Sequence, residues 1–88
     1  MYKVLVSRTF QKQFSNISKK EQKRIRAALD NLIENPYANR PGADIKSLAG
    51  THPKKYRLRV GDYRIIFCVQ GKAVKVIEVF RRGRGYRK

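Results

Sequence analysis

Lys55-Tyr56-Arg57-Leu58-Arg59-Val60-Gly61-Asp62-Tyr63-Arg64-Ile65-Ile66-Phe67-Cys68-Val69-Gln70 is the stretch whose reading decides the fold. Residues 55–60 alternate strictly: Tyr56, Leu58 and Val60 fall on one side, Lys55, Arg57 and Arg59 on the other. That is the period of a half-buried strand. Gly61-Asp62 is a tight-turn signal. Residues 63–70 are apolar on both sides, Ile65, Phe67 and Val69 against Ile66 and Cys68, as in a central strand. A two-residue turn sets the register, so Val60 faces Tyr63 and Arg59 lies directly opposite Arg64. Arg57 stands two residues away on the same side. Like charges directly opposite on a sheet are unfavourable, so the pattern predicts an anion among these arginines. A guanidinium suits that role, being planar, permanently charged and able to bind phosphate through two bonds.

Outward from this hairpin, Gly71-Lys72 turns the chain into a last strand over 73–80, carrying Val74, Val76, Ile77, Val79 and Phe80. Residues 81–88 form a basic tail in which Tyr86 is flanked by Arg84 and Arg87. Upstream, residues 2–7 are rich in strand formers. Phe10, Phe14 and Ile17 recur at helical spacing, and Ser18-Lys19-Lys20-Glu21 is a capping-box pattern. A second helix then runs to about Asn35, with Ile25, Ala28, Leu29, Leu32 and Ile33 as its apolar face and Pro36 as its stop. Lys19, Lys20, Lys23, Arg24 and Arg26 on the opposite face read first as a solvated surface. Residues 36–53, with Pro36, Pro41, Gly42, Gly50 and Pro53, read as a long connection with a short turn around 44–48 and as a contact surface. The order β-α-α-β-β-β predicts a single α+β domain over 1–88. Two helices pack on one face of a small, largely antiparallel four-stranded sheet, the first strand lies beside the last, and the other face is free.

The chain has 88 residues, 22 Lys plus Arg against 6 Asp plus Glu, and a net charge of +16. Residues 54–88 hold twelve of the basic and two of the acidic side chains, a net +10. A compact domain so charged repels itself, and nucleic acid or an acidic protein would relieve that repulsion. One His and one Cys exclude a disulfide framework, a Cys/His zinc site and a triad built on histidine. No paired carboxylates suggest metal-dependent cleavage, and no cofactor is expected. His52 reads as an ordinary loop residue and Cys68 as a small apolar one. No apolar run approaches the ~18 residues of a membrane span, and no signal peptide is evident, so the expected compartment is the cytoplasm. Arginines interleaved with an aromatic ring fit single-stranded nucleic acid. From the residues alone, a metal-free ribonuclease and a non-catalytic patch for nucleic acid or an acidic partner both remain open.

Leu48-Ala49-Gly50, the run from Tyr56 to Phe67, Val76-Ile77-Glu78-Val79 and the basic, Tyr-containing tail together resemble the RelE/ParE toxin superfamily, with the closer match to RelE. The resemblance implies the toxin of a type II toxin–antitoxin pair that enters the ribosomal A site and cuts mRNA there. The cut needs no metal and proceeds by 2′-hydroxyl attack. An acidic RelB-type antitoxin is the implied partner, with scope for a heterotetramer. Residue by residue, it implies that Arg57 and Arg59 fill the two basic positions of the second strand, where well-known members carry lysine. Arg64 grips the scissile phosphate, Arg84 meets the leaving group, and Tyr86 stacks on a base. Lys54, Lys55, Arg81, Arg82 and Arg87 are expected as flanking RNA contacts. Arginine is a poor proton acceptor, its pKa exceeding about 12, which leaves Lys54, Lys55, His52 or a ribosomal group as the base. The alternatives are a ParE-like poison of DNA gyrase and a non-catalytic ribosome-binding module.

Overall fold

A computed structural model describes residues 1–39, 41 and 44–83. The chain runs β1 (Lys3–Val6), α1 (Arg8–Ser15), α2 (Lys19–Glu34), β2 (Asp44–Leu48), β3 (Lys55–Val60), β4 (Tyr63–Gln70) and β5 (Ala73–Arg81). The sheet order is β1-β5-β4-β3-β2. β1 pairs with β5 in parallel, and the other three pairings are antiparallel. The α+β class, both helices and the first-beside-last arrangement agree with the sequence reading.

The strand number does not: the sheet has five strands, because 44–48 pairs with β3 rather than turning, with Ile45 opposite Leu58 and Asp44 opposite Arg59. This edge strand carries only Ile45 and Leu48 as apolar residues and lies in a Pro/Gly-rich stretch. Its extended state comes from pairing with a neighbour, not from its own composition.

Alternation divides the sheet cleanly. Leu58, Val60, Ile65, Phe67, Val74, Val76 and Val79 share one core with Phe10 of α1 and Ile25, Ala28 and Leu32 of α2. Leu58, Ile65, Phe67, Val74 and Ile25 are all 0 % exposed. Both helices therefore cover the same face. The arginines of β3 and β4, one residue out of phase with this core, take the other.

Caps and stitches place the helices. Ser7 Oγ accepts from the Phe10 amide at 2.9 Å and donates to the Ile77 carbonyl at 2.6 Å. Ile77 is the extra residue of a bulge, since Phe67 faces Val76 while Ile66 faces Glu78. The α1 cap thus satisfies a carbonyl that the bulge takes out of the ladder. Gln13 Oε1 accepts from the Val79 amide at 2.7 Å, a second tie between α1 and β5. Ser18 Oγ accepts from the Glu21 amide at 3.4 Å, half of the expected capping box. The Glu21 carboxylate turns instead to Arg24, 3.3 Å away. No helix among the described residues is long and apolar enough to cross a membrane.

Gly61 closes the β3–β4 turn at φ +57°, and the Arg24 guanidinium lies where its Cβ would stand, 2.9 Å from that point. Arg24 can swing aside, so the backbone conformation makes glycine the favoured residue. Gly61→Ala is expected to lower stability by about 1–2 kcal/mol. Leu58→Ala, which hollows the core beneath the same hairpin, should cost about 2–5 kcal/mol. Urea unfolding of both variants measures the two effects.

Candidate functional site

The β3–β4 register puts Val60 opposite Tyr63, Arg59 opposite Arg64 and Arg57 opposite Ile66. Adding β2 and β5 gives two cross-sheet rows on the face away from the helices. Asp44, Arg59, Arg64 and Phe80 form one; Lys46, Arg57, Ile66 and Glu78 form the next. Ile66 is only 3 % exposed although no helix covers it. Its direct neighbours across the ladder are Arg57 and Glu78, long side chains whose aliphatic stems can shelter an apolar residue.

Asp44 is the carboxylate that the arginines share. Its Oδ2 lies 3.4 Å from Arg57 Nη2 and 3.8 Å from Arg59 Nη2. The Arg57 side chain is 19 % exposed, against 47 % for Arg59. Arg57 Nε is fully buried and has no acceptor among the described residues. A buried donor left unpaired costs about 1–3 kcal/mol.

Arg64 is held below the usual guanidinium pKa, first by partial burial, then by repulsion from Arg57, Arg82 and Arg59; Asp44 opposes the shift. Arg82 belongs to this group because its amide donates to the Asp62 carbonyl, tying the chain after β5 to the β3–β4 turn. Three guanidinium groups, those of Arg57, Arg82 and Arg59, thus act on Arg64 at one corner of the open face, and the Asp44 carboxylate offsets part of their charge.

The expected site residues separate accordingly. Arg57, Arg59, Arg64 and Arg82 come together. Lys55 shares their face but sits further along β3, opposite Cys68. Lys54 and His52 are exposed in the segment before β3. Arg81 pairs with Tyr63, which places it on the helix side of the sheet. Arg84, Tyr86 and Arg87 lie outside the described residues. The sequence reading missed Asp44. The signal was there in the alternation of Asp44-Ile45-Lys46-Ser47-Leu48, which places Asp44 beside Arg59 once these residues are taken as a strand.

The family model for the ParE toxin of the type II toxin–antitoxin system parDE matches residues 2–86. The curated toxin RelE3 of Methanocaldococcus jannaschii is 35% identical over 80 residues, covering 91% of this chain and 85% of its own. The RelE–RelB complex of Pyrococcus horikoshii superposes with a TM-score of 0.82 at 30% identity, covering 96% of this chain and 98% of the other. The RelB–RelE complex of Methanococcus jannaschii gives 0.71 at 30% identity, with 88% of each chain covered. Hairpin, strand order and both similarities at the level of sequence agree, and the chain belongs to the RelE/ParE superfamily of toxins, on its RelE side.

Proposed function

We propose that this chain is a type II toxin that cuts mRNA on the ribosome and is held in check by an acidic RelB-type antitoxin. The observation that carries the reading is the Arg59–Arg64 pair on the uncovered sheet face, with Arg57 and Arg82 beside it. Such a cluster is costly alone and favourable around a phosphate. A phosphate oxygen would accept from the outer nitrogens of these guanidinium groups and relieve the repulsion at Arg64.

RNA brings its own nucleophile. In the proposed reaction the bond from the ribose 2′-oxygen to phosphorus forms while the bond from phosphorus to the 5′-oxygen breaks. The ends left are a 2′,3′-cyclic phosphate and a 5′-hydroxyl. The 2′-proton passes to a base, for which Lys54, Lys55, His52 or a ribosomal group are the candidates, and the departing 5′-oxygen gains a proton. The arginines supply alignment and stabilise the negative charge that grows on the phosphoryl oxygens. Asp44 positions Arg57 and Arg59 before substrate arrives. Arg84 and Tyr86 keep the roles that the family resemblance gives them, at the leaving group and on a base.

Two features support the antitoxin. The similar Pyrococcus and Methanococcus structures are RelE complexes with RelB, and a +16 surface favours an acidic chain.

Primer extension on ribosome-bound mRNA tests the reading: the purified chain should leave discrete cuts, and intact message at saturating protein would overturn it. Arg64→Ala is expected to lower the cleavage rate by about 10²–10³-fold. Asp44→Asn should lower it by about 10- to 100-fold through misplaced guanidinium groups, without weakening RNA binding. A rate unchanged in Asp44→Asn would remove the positioning role. The ParE description of the matching family model favours one second reading, poisoning of DNA gyrase. Gyrase-trapped DNA breaks after expression, with mRNA uncut, would select it.

A further inference from the structure

Among the described strand residues, the open face holds one aromatic ring, that of Phe80. Val79 pairs with Ile65 and is 2 % exposed in the core under the helices. Phe80, one residue later, pairs with Arg64 and so takes the opposite side of the sheet. It has no part in the core that Phe10, Phe14, Phe67, Tyr2, Tyr56 and Tyr63 build or pack against on the helix side. Tyr37 stays on that side too, edge-on to Tyr56. The row across the open face therefore runs Asp44, Arg59, Arg64, Phe80. Neighbouring strands lie about 5 Å apart, so the ring stands one strand from Arg64 and about 10 Å from Arg59. The bond from the Arg82 amide to the Asp62 carbonyl ties the chain just after Phe80 to the turn that carries the arginine pair.

We propose that Phe80 is a stacking platform for a nucleobase, one that places the base beside the phosphate held by Arg64; this rests on the RNA reading of the arginine cluster. Single-stranded nucleic acid is held by cations along its backbone and flat faces against its bases. The row supplies both, side by side. A phenyl ring has no donor or acceptor, so it fixes the plane of a base without reading its edge. It is a positioning element rather than a reader of sequence. Orienting the base orients the ribose attached to it, and with it the 2′-oxygen that attacks phosphorus. The ring is carried by a strand, so its place is set before RNA arrives. This role is separate from the one that the family resemblance gives Tyr86. Shelter for Ile66, diagonal to Phe80 across the ladder, would be met as well by leucine, and the test uses that difference.

The sequence contains no tryptophan, so Phe80→Trp in the full chain places a single fluorophore at the platform. The probes are a short single-stranded 2′-O-methyl RNA, which lacks the nucleophile and is not cut, and an abasic chain of equal length. Anisotropy of a label on each probe follows its binding. Tryptophan emission should fall at saturation with the base-bearing chain and stay constant with the abasic one. Phe80→Leu should bind the base-bearing chain about 5- to 100-fold more weakly than the parent does. It should bind the abasic chain like the parent and match its thermal unfolding. Phe80→Tyr should keep the parental affinity. Emission indifferent to the bases, a base-bearing chain that does not bind, or a Phe80→Leu variant that binds both chains like the parent overturns the proposal. If the parent cuts no mRNA while these differences appear, the cleavage reading fails and the platform stands. If the parent cuts mRNA, Phe80→Leu cuts it with unchanged KM and emission ignores the bases, the platform fails and the cleavage reading stands.

Discussion

Leu58, Val60, Ile65 and Phe67 must reach the helices, and strand geometry leaves Arg57, Arg59 and Arg64 no side but the opposite one. The core therefore sets the arginines as firmly as it sets itself. A slip of one residue in the β3–β4 pairing would send the guanidinium groups under α2 and the core to solvent. The two-residue turn at Gly61-Asp62 opposes that slip from its end, and burial of Leu58 and Ile65 opposes it along the length of the strands. The apolar side of the hairpin thereby sustains the repulsion on its polar side.

That repulsion is only partly offset within the chain. Asp44 reaches both Arg57 and Arg59, at distances that make each contact modest. Arg64 remains among three other guanidinium groups, and the Arg57 Nε remains buried without an acceptor among the described residues. Backbone hydrogen bonds in the ladder and a dry core on the far side let the sheet tolerate this. A site kept under electrostatic strain is preorganised for a ligand of opposite sign, because binding removes a cost already present in the free protein.

The surfaces differ in chemistry. One corner of the open face is a guanidinium cluster around a single carboxylate. The first half of α2 is a row of exposed cations, of which Arg24 pairs with Glu21 and Arg26 covers the Phe14 ring. β1 presents Leu5 and Val6 at the sheet edge, 44% and 39% exposed. The bulge at Ile77 and its link to Ser7 fix how α1 and β1 meet the rest of the sheet. A net charge alone would not distinguish these surfaces, although the partners they suit differ.

Local pattern by itself determined the hairpin, its register, both helices and their apolar faces, because each rests on a period of two or 3.6 residues within a short window. It also determined that three arginines share one side, since alternation and a two-residue turn suffice for that. Only the tertiary structure decided that residues 44–48 form a strand, because an edge strand of mixed composition is extended by its neighbour's hydrogen bonds. With that strand came Asp44, a carboxylate 13 residues from Arg57 in the chain and 3.4 Å from it in space. Arg81 and Arg82, adjacent in sequence, fall to different surroundings for the same kind of reason. Arg81 is still in the ladder opposite Tyr63, while Arg82 has left it and is drawn to the Asp62 carbonyl. Long-range pairing chooses such neighbours, and no local window of sequence contains both partners.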